Sequence, residues 1–199
     1  MPRPLSFLFF KKMDIVGCKK FRPDQLDKIG NTAIYLIDAI GALSKTKLIK
    51  LLYILDELSI ERSGIPFLNL QYKAWKYGPV SDELYVDLSG DSKLLSPYIT
   101  RNDDKYISAA TFKDDEFSDN DIALMDEVIR RFKTFSAQDL KQYTHRQGSP
   151  WYNAAIKGDV LQQLEDEEFS TTDIIIDMSQ LVAKDQRKKG IYQDYIEAF

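Results

Sequence analysis

One cysteine and one histidine in 199 residues set the first limits. Cys18 alone forms no intramolecular disulfide, and His145 alone builds no His or Cys metal cage, so zinc fingers, Cys/His zinc hydrolases and disulfide scaffolds are excluded. Nor does any loop carry the Asp-x-Asp-x-Asn-Gly pattern of a calcium hand. The nine glycines never fall into Gly-x-x-x-x-Gly-Lys or Gly-x-Gly-x-x-Gly, so the chain lacks a phosphate-cradling loop. No Gly-x-Ser-x-Gly elbow is present to activate a serine, and the one thiol lies far in sequence from His145. The reading is therefore no catalytic set, no metal and no cofactor. Asp82-Glu83 and Asp103-Asp104 are carboxylate pairs of the kind a helix start and a turn use. His145 is expected to be structural, bonding a helix end.

Long apolar runs are missing too. Leu5-Ser6-Phe7-Leu8-Phe9-Phe10 after Arg3 looks like a secretion signal, but Lys11 and Lys12 cut it short and no small-residue cleavage site follows. With no other run near the length of a membrane span, a soluble, cytoplasmic protein is expected. Residues 1–22 carry +5 (Arg3, Lys11, Lys12, Lys19, Lys20 and Arg22 against Asp14), while the whole chain is −4, so the remainder is −9. An acidic body argues against a reader of duplex DNA, which needs a basic face to replace phosphate counterions. The basic arm reads as a solvated terminus, with nucleic acid or an acidic partner as the alternative contact.

What is present is helical periodicity. Pro23 to Leu43 repeats Leu26, Ile29, Ala33, Ile34, Ile37 and Ile40 at three- and four-residue steps. Ser44 caps a second helix that Gly64 stops, and its middle, Leu48 to Leu55, is apolar nearly all round, as in a helix buried on several sides. Leu68, Leu70, Tyr72 and Ala74 then alternate with polar neighbours, which suggests a strand from Phe67 to Trp75, while Leu68, Tyr72 and Trp75 also fit a helical stripe. Ser81 is expected to cap a short helix to Leu88, and Tyr98–Ile107 a hairpin turning at Arg101–Asp104. Helices are predicted over Ser118–Thr134, from Ser136 with a capping-box spacing, and from Ser149 with Pro150 in first position. A last one starts at Thr172 or Asp173 and ends at Arg187–Gly190, followed by Tyr192, Tyr195, Ile196 and Phe199 as an aromatic stripe that must dock. The fold class is mainly α (α+β): several helices around a buried central one, with a small β element.

Three segments carry a family likeness. Thr46-Lys47-Leu48-Ile49-Lys50-Leu51-Leu52-Tyr53 is similar to a Lys-Leu-x-Lys-Leu-Leu-Tyr helix. Ala74-Trp75-Lys76-Tyr77-Gly78-Pro79-Val80, followed by Leu84-Tyr85, matches an Ala-Trp-x-Tyr-Gly-Pro-Val signature. Ser136, Leu140, Thr144-His145 and Pro150-Trp151 resemble a Thr-His...Pro-Trp ending. In this order and spacing the chain, from about 29 to 155, resembles the Panacea domain of SocA-like antitoxins. That resemblance implies a mostly helical antitoxin that neutralises a cognate protein toxin by direct contact. Partners vary widely in this family, and some members are adaptors that deliver the toxin to a protease. An interaction protein of a phage or mobile element, without its own toxin, is the other alternative.

The corresponding organisation is a basic arm (1–22), a Panacea-like helical domain (23–160) and a helical extension (161–199) packing on the domain or on a partner. The candidate family and partner-contact residues are Lys47, Lys50, Tyr53, Trp75, Tyr77, Gly78, Pro79 and Trp151. Pro79 stiffens a turn that presents two rings suited to an interface, although packing against the second helix is the ordinary reading. Lys45, Lys47 and Lys50 sit where a helix dipole disfavours cations, so carboxylates of the acidic body, or of a partner, are expected beside them.

Overall fold

The computed structural model describes residues 21–91, 93–166 and 170–198, so the basic arm, Phe21 and Arg22 apart, lies outside the described residues. Helix α1 (Pro23–Ile40) starts on Pro23 and stops at Gly41, three residues before its expected end. It stops there because Leu43–Ser44 leaves the helix as strand β1 and pairs with the later strand Lys105–Ser108, Leu43 opposite Tyr106. Helix α2 (Lys45–Ser63) follows the sequence closely. Ser44 accepts from the Lys47 N–H, and Gly64 ends the helix at φ 81°. A β-carbon at Gly64 would sit 2.5 Å from the Lys188 carbonyl oxygen, so that close crossing also demands glycine.

Every residue from Leu48 to Leu58 of α2 is buried, including Lys50, Asp56 and Glu57. Strands β4 (Ile99–Asn102) and β5 (Lys105–Ser108) form the expected hairpin and, with β1, a three-stranded antiparallel sheet in the order β1-β5-β4. Its turn places Asp103 at φ 55°, a left-handed position that Asp tolerates. The sheet closes on α1, where Tyr98 covers Gly30 and donates to Asp27. Three serines cap the next helices: Ser118 for α4 (Asp119–Phe132), Ser136 for α5 (Ala137–Thr144) and Ser149 for α6 (Pro150–Lys157). The first two complete full capping boxes with Asp121 and Asp139. A short α7 (Leu161–Glu165) follows. The architecture is mainly α with small antiparallel sheets, and none of the described helices is long and apolar enough to cross a membrane.

Three expectations are corrected. The strand begun at Phe67 shrinks to β2 (Lys73–Trp75), paired with β3 (Gly78–Val80). Residues 67–72 instead wrap the buried Asp56 carboxylate, which accepts from the N–H groups of Leu68 (2.6 Å), Asn69 (3.2 Å) and Leu70 (3.3 Å) and from the Tyr72 hydroxyl (2.8 Å). Ser81 stands at the head of α3 (Asp82–Val86), but its hydroxyl donates to Glu83 rather than capping.

The third correction is at the carboxyl end, where no helix begins at Thr172. Residues 170–176 run extended along the open edge of β2: Ala74 donates to Ile174, Lys76 to Ser170 and Ile176 to Tyr72. Thr172 gives its hydroxyl to the Ala74 carbonyl. A 3₁₀ turn (Met178–Val182) leads to α8 (Gln186–Ala198), which runs through Arg187–Gly190, the stretch expected to end a helix. Asp185 accepts from the N–H groups of Arg187 and Lys188, starting α8 there.

Burial pushes the Asp56 carboxyl pKa upward against the lowering pull of its four donors. Asp56→Ala would strand those donors in the interior, and the expected loss is more than about 3 kcal/mol, with the 67–72 loop released. Urea unfolding reads the first, and faster amide exchange at Leu68 and Leu70 the second.

Candidate functional site

The three family segments arrive from α2, the β2–β3 hairpin and the α5–α6 corner, and they meet. The Lys50 side chain crosses the face of Gly78, whose φ of 108° already excludes other residues. A β-carbon there would lie 2.9 Å from Thr144 Oγ1, 3.0 Å from Lys50 Cε and closer still to Lys50 Nζ. Gly78 is thus the joint at which all three segments touch. Trp151 donates its indole N–H to the Trp75 carbonyl at 2.8 Å. The His145 ring stacks on Trp151 with centroids 3.5 Å apart and planes 12° from parallel. Thr144 returns its hydroxyl to Leu140, and Ser149 donates to the Thr144 carbonyl at 2.8 Å, which fixes the turn between α5 and α6.

The electrostatics of this junction are one-sided. Lys50 is 1% exposed, and no carboxylate pairs with it among the described residues. Burial, with Lys141 nearby, brings its pKa down from 10.5 to about 7. The same burial, with Lys50 and Lys141 as charged neighbours, takes His145 down to about 3. His145 is therefore neutral at pH 7, and its buried Nε2 has no hydrogen-bond partner among the described residues. The expectation that its side chain bonds the helix end is corrected: the backbone N–H of His145 does that, reaching Lys141 O, while the ring stacks.

The cations at the start of α2 find other partners than carboxylates. Lys45 donates to Ser89 Oγ at 2.9 Å and lies 4.0 Å from the Tyr85 ring centroid, and Lys47 donates to the Lys133 carbonyl at 2.8 Å. Neutral oxygens and a ring face thus replace the acids expected there.

Of the eight candidate residues, Lys50, Tyr53, Gly78, Pro79 and Trp151 are buried. Tyr53 packs edge-on against Tyr72 at 4.9 Å. Lys47 and Trp75 are half-buried, Trp75 against Tyr85 and bonded through its indole N–H to Thr172 O. Tyr77 is the exposed one, at 54%, with Lys76 and Lys141 ammoniums 4.9 and 5.3 Å from its ring.

Sequence reasoning passed over Asp56 and the ion pair of Glu57, 0% exposed, with Arg146 at 2.7 Å. The signal was there: two adjacent carboxylates continue a stretch otherwise apolar on all sides, which forces at least one inward. Among the described residues no group of three or more His, Cys, Asp or Glu side chains could hold a metal.

A family model described as the SocA-like antitoxin, Panacea domain, matches residues 48–152, just over half of the chain. The chain belongs to that family. The Panacea match begins inside α2 and closes in the first turn of α6, so it contains the second and third segments, the first from Leu48 onward, and the junction at Gly78. Helix α1 lies outside the match yet supplies Ile29, Ala33, Ile34, Leu36 and Ile37 to the Panacea core. No match was found among curated proteins or solved structures.

Lys50 gives the Panacea junction a measurable pH dependence. Between pH 7 and 10.5 the unfolded chain holds a proton on Lys50 that the folded chain lacks. Unfolding free energy therefore rises with pH across that window, by at most about 1.4 kcal/mol per unit. Lys50→Met keeps the length of the side chain without its charge, and is expected to remove this rise and to cost nothing at pH 7. Urea titrations at pH 7, 8 and 9 compare the slopes; an identical slope in the variant refutes the assignment.

Proposed function

We propose that this protein is an antitoxin that holds a protein toxin inactive by direct, stoichiometric contact in the cytoplasm, and that it performs no catalysis. Family membership supports the class. The observation that carries the mechanism is the fate of the family segments. Their large side chains, Tyr77 apart, and the Lys50 side chain are packed between α2, the hairpin and the α5–α6 corner, and the one histidine is neutral, stacked and half-buried. A general base working near pH 7 needs a pKa near 7, and that of His145 lies near 3.

Co-expression with the product of the reading frame beside this gene tests the reading. The expected result is restored growth together with recovery of the two proteins as one complex of fixed ratio. Restored growth with the two proteins never co-purifying overturns the reading. If growth is restored because the neighbour's product disappears, and it persists in a protease-deficient host, the adaptor alternative takes its place.

A further inference from the structure

The described surface carries six large exposed apolar side chains, and three of them, Ile65 (43%), Ile175 (55%) and Ile196 (42%), line one groove of about 1120 Å³. The groove runs between the amino end of α1, the carboxyl end of α2, the 65–72 loop, the start of α4 and α8. Isolated exposed isoleucines are ordinary, but three converging on one concave surface are not. Their backbones are also fixed in place. Ile65 is clamped on both sides, its N–H donating to Ser63 Oγ and its carbonyl accepting from Ser59 Oγ, and Ile175 is bridged to Lys73 of β2. A surface held in this way loses little entropy when it is covered.

Charge defines what covers it. The three cations in the lining are each held by a carboxylate: Arg22 by Asp24, Lys28 by Asp121 and Arg62 by Glu127. Three further lining carboxylates, Glu83, Glu116 and Asp177, form no ion pair among the described residues. The groove thus mixes apolar and polar walls and is acidic in its unpaired charge.

We infer that this groove is the toxin-binding surface and that it receives a segment of the partner rich in Lys or Arg and bearing bulky apolar side chains. The inference rests on the antitoxin reading and locates its contact. Nucleic acid has the wrong sign for these carboxylates, and a second copy would bring a chain of net charge −4 against its own kind.

The test uses the full chain and a fluorescent eighteen-residue amphipathic peptide of Lys and Leu, with a Glu and Leu counterpart as control. The Lys–Leu peptide is expected to saturate a single site and the Glu–Leu peptide to stay free. The double variant Ile65→Ser/Ile175→Ser should weaken binding at least tenfold, Glu116→Gln several-fold, and Ile156→Ser, exposed outside the groove, not at all. All four substituted side chains are exposed, so the urea midpoint should hold.

Unchanged peptide affinity in the double variant places the contact elsewhere and overturns the inference. A dimer by light scattering that Ile175→Ser dissociates gives the groove to a second copy, and tighter peptide binding when Lys11, Lys12, Lys19 and Lys20 become Glu gives it to the chain's own amino terminus; either result also overturns it. Growth restored against the neighbouring product by the double variant as well as by the wild type rejects the groove and keeps the antitoxin. Peptide binding as expected, with no restoration by the wild type, rejects the antitoxin and keeps the groove.

Discussion

The structure depends on the burial of a helix that is not wholly apolar. Helix α2 passes through the middle of the molecule with Lys50, Asp56 and Glu57 inside, and each imposes a requirement on a distant part of the chain. Asp56 gathers the 67–72 loop by accepting its N–H groups. Glu57 draws in Arg146, whose guanidinium also lies 4.3 Å from the Tyr143 ring centroid. Lys50 fits only because the hairpin offers a bare Gly78 beneath it. A carboxylate left alone in such surroundings would cost several kcal/mol, so the wrapping segments are as necessary to α2 as α2 is to them.

This explains which parts could be read from the residues. Elements set by neighbours in sequence were legible: the serine caps at Ser44, Ser118, Ser136 and Ser149, the left-handed stop at Gly64, and the Arg101–Asp104 turn. The order of the three family segments was legible as well, and with it the family. Elements set by long-range partners were not. Alternation over residues 67–74 has the period of a strand, but Asp56, eleven residues before Phe67 and on another element, takes the N–H groups a strand partner would have used. Thr172 and Asp173 have the chemistry of a helix cap, yet the vacant edge of β2 claims that stretch for a sheet. The groove escaped for the same reason. Ile65, Ile175 and Ile196 are scattered in sequence and carry no shared pattern until the fold collects them.

The family segments also read differently once placed. A Trp-x-Tyr-Gly-Pro turn looks like an interface anchor because it is aromatic and stiff. In the folded chain Trp75 is tied to Thr172 and Trp151, Pro79 is buried, and only Tyr77 faces outward between two lysines.

The extended stretch from Ser170 to Ile176 has a consequence for the order of assembly. Its bonds to Tyr72, Ala74 and Lys76 join residues separated by roughly a hundred positions. While the chain is still being made, the free edge of β2 has no companion until the ribosome has passed residue 176. The nascent domain therefore leaves a strand edge unpaired while roughly a hundred further residues are added, the condition under which a foreign strand can add to it. Completion of the Panacea domain thus waits on a segment that lies outside the family's own boundaries.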